Sequence, residues 1–224
     1  MYLQTNNHVF FVKHDKYKDD IHFYSIGNPN NKPKACITIS VMKVKDAIIM
    51  TLQDIEYYQT CSANTLEKGL GTIEMLQGSI RAIMKRHPDI SRIDLQDKSF
   101  FTLPNKDNIP LPEYRLLTKG RTWYEEHFGA KPNCKAFKNL VDLYKDIWAS
   151  NEVRIPQPLT EQRFKNYLKS LHFPNMISGN AWHIPMHKLT KYAFDGVFKR
   201  GRIGGFDGGV PARRRKEYIF RLFS

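Results

Sequence analysis

The stretch "NTLEKGLGTIEML", residues 64–76, places Lys68, Gly69, Leu70, Gly71 and Thr72 directly ahead of a run with helical period. A helix N-terminus turns backbone N–H groups and the positive end of its dipole toward an anion. Glycine lets the chain bend sharply there and keeps side chains out of the way. These five residues are therefore candidates for a phosphate cradle, with Lys68 adding a charge. The spacing fits neither GxxxxGK[ST] nor GxGxxG, because Glu74 stands three residues after Gly71. The competing reading is a glycine turn that only starts a packed helix.

Other reactive residue types are scattered. Asp54 and Glu56 in "TLQDIEYY" are two apart, so on a strand they share one face. His183 and His187 form HxxxH, which can put two imidazoles on one helical face. Pro185 lies between them and no carboxylate or cysteine completes the set, so capping and surface roles are expected and no metal site. Cys36, Cys61 and Cys134 are far apart without any CxxC and are expected as reduced, partly buried thiols. Arg213, Arg214, Arg215 and Lys216 make the one dense basic run, with Lys199, Arg200 and Arg202 nearby. That run can neutralise the phosphates of nucleic acid, or merely keep a loop solvated.

The elements that must position these residues change period along the chain. "HVFFVKH", "IHFYSI", "ACITISVMKV" and "AIIMTLQDIEYY" read as strands, the last two as an antiparallel hairpin. In "TIEMLQGSIRAIMKRH", Ile73, Leu76, Ile80, Ile83 and Met84 recur at helical spacing. Lys85, Arg86 and His87 follow as cations suited to the end of the dipole, and Pro88 stops the helix. "ISRIDLQD" reads as the next strand, which makes the helix a crossover. Residues 98–119, with Pro104, Pro110 and Pro112, read as irregular. "GRTWYEEHFGA" reads as a short helix ended by Gly129. Helices are expected in "CKAFKNLVDLYKDIWAS", in "TEQRFKNYLKSLHF" with Thr160 as N-cap, and in "PMHKLTKYAFDGVFKR" with Val197 on its buried face.

The class is therefore α/β: a mixed, mostly antiparallel sheet with a crossover helix, then a helical subdomain. The expected division is 1–132 for the α/β domain, 133–200 for the helices, 201–216 for a Gly/Arg-rich loop and 217–224 for a last strand. No apolar run approaches the roughly 20 residues that a membrane-spanning helix needs. Without a recognisable signal peptide, an intracellular location is expected. A formal net charge of +13 favours polyanionic partners: nucleic acid, a phosphate-bearing cofactor or an acidic protein surface.

A strand meander, a Gly-x-Gly turn, a helix, a strand and a later "WYEEHFGA" helix together resemble the GNAT acetyltransferase superfamily, and more loosely its divergent members in large DNA viruses. In that family a loop of the type Q/R-x-x-G-x-G/A holds the pyrophosphate of acetyl-coenzyme A, and "LEKGLGT" resembles it. The resemblance implies that Lys68 and the amides of Gly69 to Thr72 bind acetyl-CoA, that Tyr124 protonates the departing thiolate, and that Glu56 or Asp54 takes the proton of the amine acceptor. The chain departs from the family at Leu66, where a Gln or Arg is usual, and in "HFGA", where the aromatic precedes the glycine. The alternative is a catalytically idle, basic structural or nucleic-acid-binding protein of GNAT-like fold, in a cell or a virion.

Overall fold

Alternation of apolar with polar residues, broken by turn-forming pairs, builds the first five strands. In the computed structural model these are β1 (Tyr2–Gln4), β2 (Val9–Lys16), β3 (His22–Gly27), β4 (Ile37–Val44) and β5 (Ala47–Tyr57). Helix α1 (Leu70–Arg86) and strand β6 (Ile90–Gln96) follow. Next come the short strands β7 (Phe100–Thr102) and β8 (Asn108–Pro110), helices α2 (Leu111–Lys119) and α3 (Trp123–Phe128), and β9 (Lys131–Pro132). Helices α4 (Lys135–Ala149) and α5 (Glu161–Ser170) precede β10 (Ala181–Ile184), β11 (Val197–Lys199) and β12 (Phe220–Arg221). The structure describes residues 1–27, 35–57, 59–63, 65–67, 69–171, 177–186, 196–200 and 220–221. The fold is mixed α/β, with a large, mostly antiparallel sheet and several helices. Among the described residues no helix is long and apolar enough to cross a membrane.

The chain divides into two compact units, Met1–Arg92 with Leu189–Ile219 and Ile93–Lys188 with Phe220–Ser224. In the first, the strand order is β11-β1-β2-β3-β4-β5. Register pairs Leu3 with Phe10, Val12 with Ile26, Tyr24 with Ile39 and Val41 with Met50, and all eight side chains are buried. Helix α1 lies against β1 and β11, burying Leu76, Ile80 and Ile83. It then returns the chain to where β5 began: Ser91 Oγ donates to the Ile48 carbonyl at 3.1 Å.

In the second unit β10 pairs antiparallel with β6 and β9, placing Trp182 opposite Leu95. Helix α3 starts with a capping box, Thr122 Oγ1 accepting from the Glu125 amide and Glu125 accepting from the Thr122 amide. It ends at Gly129 in the left-handed conformation, as its glycine predicted. Thr160 caps α5 by accepting from the Arg163 amide at 3.2 Å.

Three expectations are overturned. Residues 98–119 are not irregular: they hold the β7–β8 hairpin and α2. Pro110 and Pro112 stand at the N-cap and in the first turn of α2, where a missing N–H breaks no helical bond. In the expected third helix, residues 187–195 lie outside those described, and Val197–Lys199 form strand β11, with Val197 exposed instead of buried. Lastly, Cys36 and Cys61 are joined in a disulfide and only Cys134 is free, on the surface. Twenty-five positions separate the pair, but the β4–β5 hairpin brings the start of one strand and the end of the other together, Ile37 facing Ile55. Sequence spacing carries no trace of that closeness.

Candidate functional site

The glycine turn is built from anchors behind it. After β5 the chain passes through a tight turn at Gln59–Cys61, which the disulfide ties to Cys36 at the head of β4. The Ser62 hydroxyl and the Ala63 amide both donate to the Val9 carbonyl, at 3.3 and 2.9 Å. Leu66 is then buried, at 1% exposure.

The two glycines do different things. Gly69 has φ +86° and ψ −89°, and a Cβ built on it would meet nothing within 4 Å. The backbone there takes a shape that other residues rarely adopt, and the space in front of it is open. At Gly71 a Cβ would come within 2.9 Å of Leu66 Cδ1. Gly71 thus sits close against the side chain of Leu66. The first intrahelical bond runs from the Ile73 amide to the Gly69 carbonyl, at 3.1 Å. The amides of Leu70, Gly71 and Thr72 consequently have no helical acceptor. Thr72 is buried and Leu70 is 58% exposed, so an anion would approach from the Gly69–Leu70 side. Lys68 lies outside the described residues.

Strand β5 carries a bulge just before its carboxylates. Thr38 pairs with Asp54 but Ile39 pairs with Leu52, so Gln53 is an extra residue. Its side chain turns to donate to Ser40 Oγ at 3.1 Å. Asp54 follows, half-buried, with one carboxylate oxygen out of solvent. Glu56 lies on the same strand, and its side chain is outside the described residues.

Tyr124 belongs to α3, in the second unit. It is 1% exposed, with its ring against Trp123 (centroids 4.9 Å) and Phe128 (6.1 Å). The run Arg213 to Lys216, with Arg202, lies outside the described residues, as does His187. His183 sits on β10, half-buried. Among the described residues no three His, Cys, Asp or Glu side chains gather as metal ligands.

Three polar clusters carry no motif. On α1 the buried carboxylate of Glu74 accepts from Thr5 Oγ1 at 2.6 Å and from the Asn7 amide and Nδ2 at 2.8 and 3.0 Å. Burial pushes its pKa up, but these hydrogen bonds and nearby His8 outweigh burial and hold it below the usual range. The β1–β2 turn is so tied to the helix.

His14 Nε2 and His22 Nδ1 stand 2.9 Å apart, and Tyr24 Oη and His87 Nε2 stand 2.6 Å apart. Burial first, then the charges of His22, Arg86 and His14, push His87 down to about 4. It is therefore neutral at pH 7, and of the three cations expected at the end of α1 only Lys85 and Arg86 serve the dipole.

In the second unit Asp97 accepts from Ser99 Oγ at 2.5 Å and from the Ser99 amide at 3.1 Å. Burial pushes it up to about 6, against the Ser99 bonds and the Arg115 charge. Glu113 accepts from the Ser178 amide at 2.7 Å. Burial pushes it up to about 7, against that bond and with the charge of Asp97 adding to the rise. A carboxyl near neutrality can pass protons. At 1% and 0% exposure, however, neither side chain meets a solute unless the unit opens, so the pair acts on stability. An Asp followed two residues later by Ser, at the end of a strand, was a signal for the Asp97 turn; nothing in the sequence paired it with Glu113.

No family model, no curated protein and no solved structure matches this chain.

Proposed function

We propose that this protein is a GNAT-like binder of acyl-coenzyme A that moves an acetyl group from acetyl-CoA to an amine. The observation that carries the reading is Gly69: a positive-φ residue with open space before it, at the N-terminus of a crossover helix, anchored by a disulfide. The amides of Gly69 to Thr72, with Lys68, would hold the pyrophosphate. The β5 bulge, which re-aims the strand next to Asp54, supports placing the amine's base on Asp54 or Glu56.

Calorimetry with acetyl-CoA tests it. Gly69→Ala should weaken binding about tenfold or more, and absence of binding at millimolar ligand refutes the reading. Tyr124→Phe separates an acid from a core residue. Lost turnover at unchanged melting temperature assigns it the proton, whereas unchanged turnover removes it from the chemistry.

A second reading is favoured by one observation, the disulfide. Such bonds persist in oxidising surroundings, virion surfaces among them. Together with the +13 charge it fits a basic, non-catalytic GNAT-like protein that holds nucleic acid or an acidic protein. It predicts retention on nucleic acid that falls steeply with salt, and no acetyl-CoA turnover.

A further inference from the structure

We propose that the far end of α1 carries a second anion site, a cavity that binds a small organic phosphate of mononucleotide size. The cavity has a volume of about 310 Å³ and lies within the first unit, between the last turns of α1 and β11. Lys85 and Arg86 line it from the helix, and Lys199 and Arg200 from the strand. Ala82, Val197 and Phe198 supply apolar surface, and among the described residues no carboxylate lines it.

Each pair of cations has an ordinary reason of its own. Lys85 and Arg86 complement the negative end of the helix dipole. Lys199 and Arg200 lie on or just past the outermost strand of the unit, where charge deters pairing with another sheet. Neither reason requires the two pairs to face one cavity. What brings them together is a contact between backbones: a Cβ on Gly196 would fall 2.0 Å from the Gly78 carbonyl oxygen, so only glycine lets the chain entering β11 sit on α1. Four like charges around one space repel one another. A dianion relieves that repulsion, and Arg86 and Arg200 can each grip phosphate oxygens in pairs.

The apolar lining selects more than a bare ion. Phe198 lies parallel to Tyr24 at 5.6 Å, which braces the ring as a wall for a flat organic body. The volume suits one small ligand. The site is separate from the glycine turn, because seventeen residues of helix span about 25 Å. It also works differently: helix amides can assist an anion at the N-terminus, whereas at this end side chains alone must hold it.

Calorimetry with AMP, inorganic phosphate and a single-stranded oligonucleotide at about 50 mM salt tests the proposal. AMP should bind more tightly than phosphate. The double variant Lys199→Gln/Arg200→Gln should weaken AMP at least about tenfold without lowering the melting temperature, since both residues are exposed. Lys85→Gln/Arg86→Gln should do the same from the helix side, and Gly69→Ala should leave AMP binding intact. The proposal is overturned if AMP fails to bind at millimolar concentration, if both double variants bind it normally, or if Gly69→Ala abolishes it. An oligonucleotide that binds about tenfold tighter than AMP through Lys199 and Arg200 also overturns it, by assigning the cavity to a nucleic-acid backbone.

Discussion

Burial shifts His87 in the first unit and Asp97 and Glu113 in the second in opposite directions. In the first, His87 is held down at about 4 among His14, His22 and Tyr24. In the second, Asp97 and Glu113 are pushed up to about 6 and about 7. Burial is the leading cause in all three, because removal from water penalises whichever form is charged. The consequences for stability have opposite signs. His87 binds fewer protons when folded, so its contribution is present above about pH 6.5 and is lost as pH falls toward 4. Glu74, held low by Thr5 and Asn7, adds to the loss on acidification. Asp97 and Glu113 bind more protons when folded, so their contribution is present below about pH 4 and is lost as pH rises through 6 and 7. Acid loosens the first unit, and neutral to alkaline pH loosens the second.

The largest blow to one side of this contrast is covalent. Replacing Cys36 and Cys61 by serine should cost the first unit roughly 3–4 kcal/mol, by freeing a 25-residue separation in the unfolded chain. Amide exchange resolved by unit should show the loss in β3 to β5 and leave α4 protected. Next comes Glu113→Gln, which keeps an acceptor for the Ser178 amide without the charge. It should stabilise the second unit by roughly 2–3 kcal/mol at pH 8 and by almost nothing at pH 4. A flat difference across that range would mean that Glu113 is ionised at no cost.

His87→Gln is the counterpart in the first unit. Between pH 7 and 4.5 it should remove about 1 kcal/mol of acid sensitivity, a figure discounted because the ring is partly exposed. Smallest is Gly71→Ala, whose methyl would press on the Leu66 side chain, at 2.9 Å from Cδ1 and 3.0 Å from Cγ, and touch Glu67 Cβ at 3.7 Å. It should cost under about 1 kcal/mol, and the added change Leu66→Ala should cancel the clash.

What could be read from sequence was local. The helical period of α1, the β4–β5 alternation, the Thr160 cap and the Gly129 stop each lie within one window of chain, and the structure has them where expected. The misses were relations between windows. The gathering of His14, His22 and His87, and the influence of Asp97 on Glu113, show nothing in any one neighbourhood, because each partner comes from another element. The disulfide was hidden for the same reason. Gly71 carries a second relation that its spacing did not show: it sits close against Leu66, a few residues earlier. Prolines were over-read as breakers at Pro110 and Pro112, where a helix start tolerates them.

The backbone contact between Gly196 and Gly78 also sets an order of assembly. Strand β1 has β2 on one side and β11 on the other, and β11 is made of residues synthesised more than a hundred positions after α1. Until that segment leaves the ribosome, β1 stands as an open edge able to pair with another chain. The first unit thus joins β1 to a strand almost two hundred residues later, a long-range contact of the kind that slows folding. A chain truncated before residue 196 would lose the strand that covers its outermost hydrogen bonds, and with it the guard against self-association.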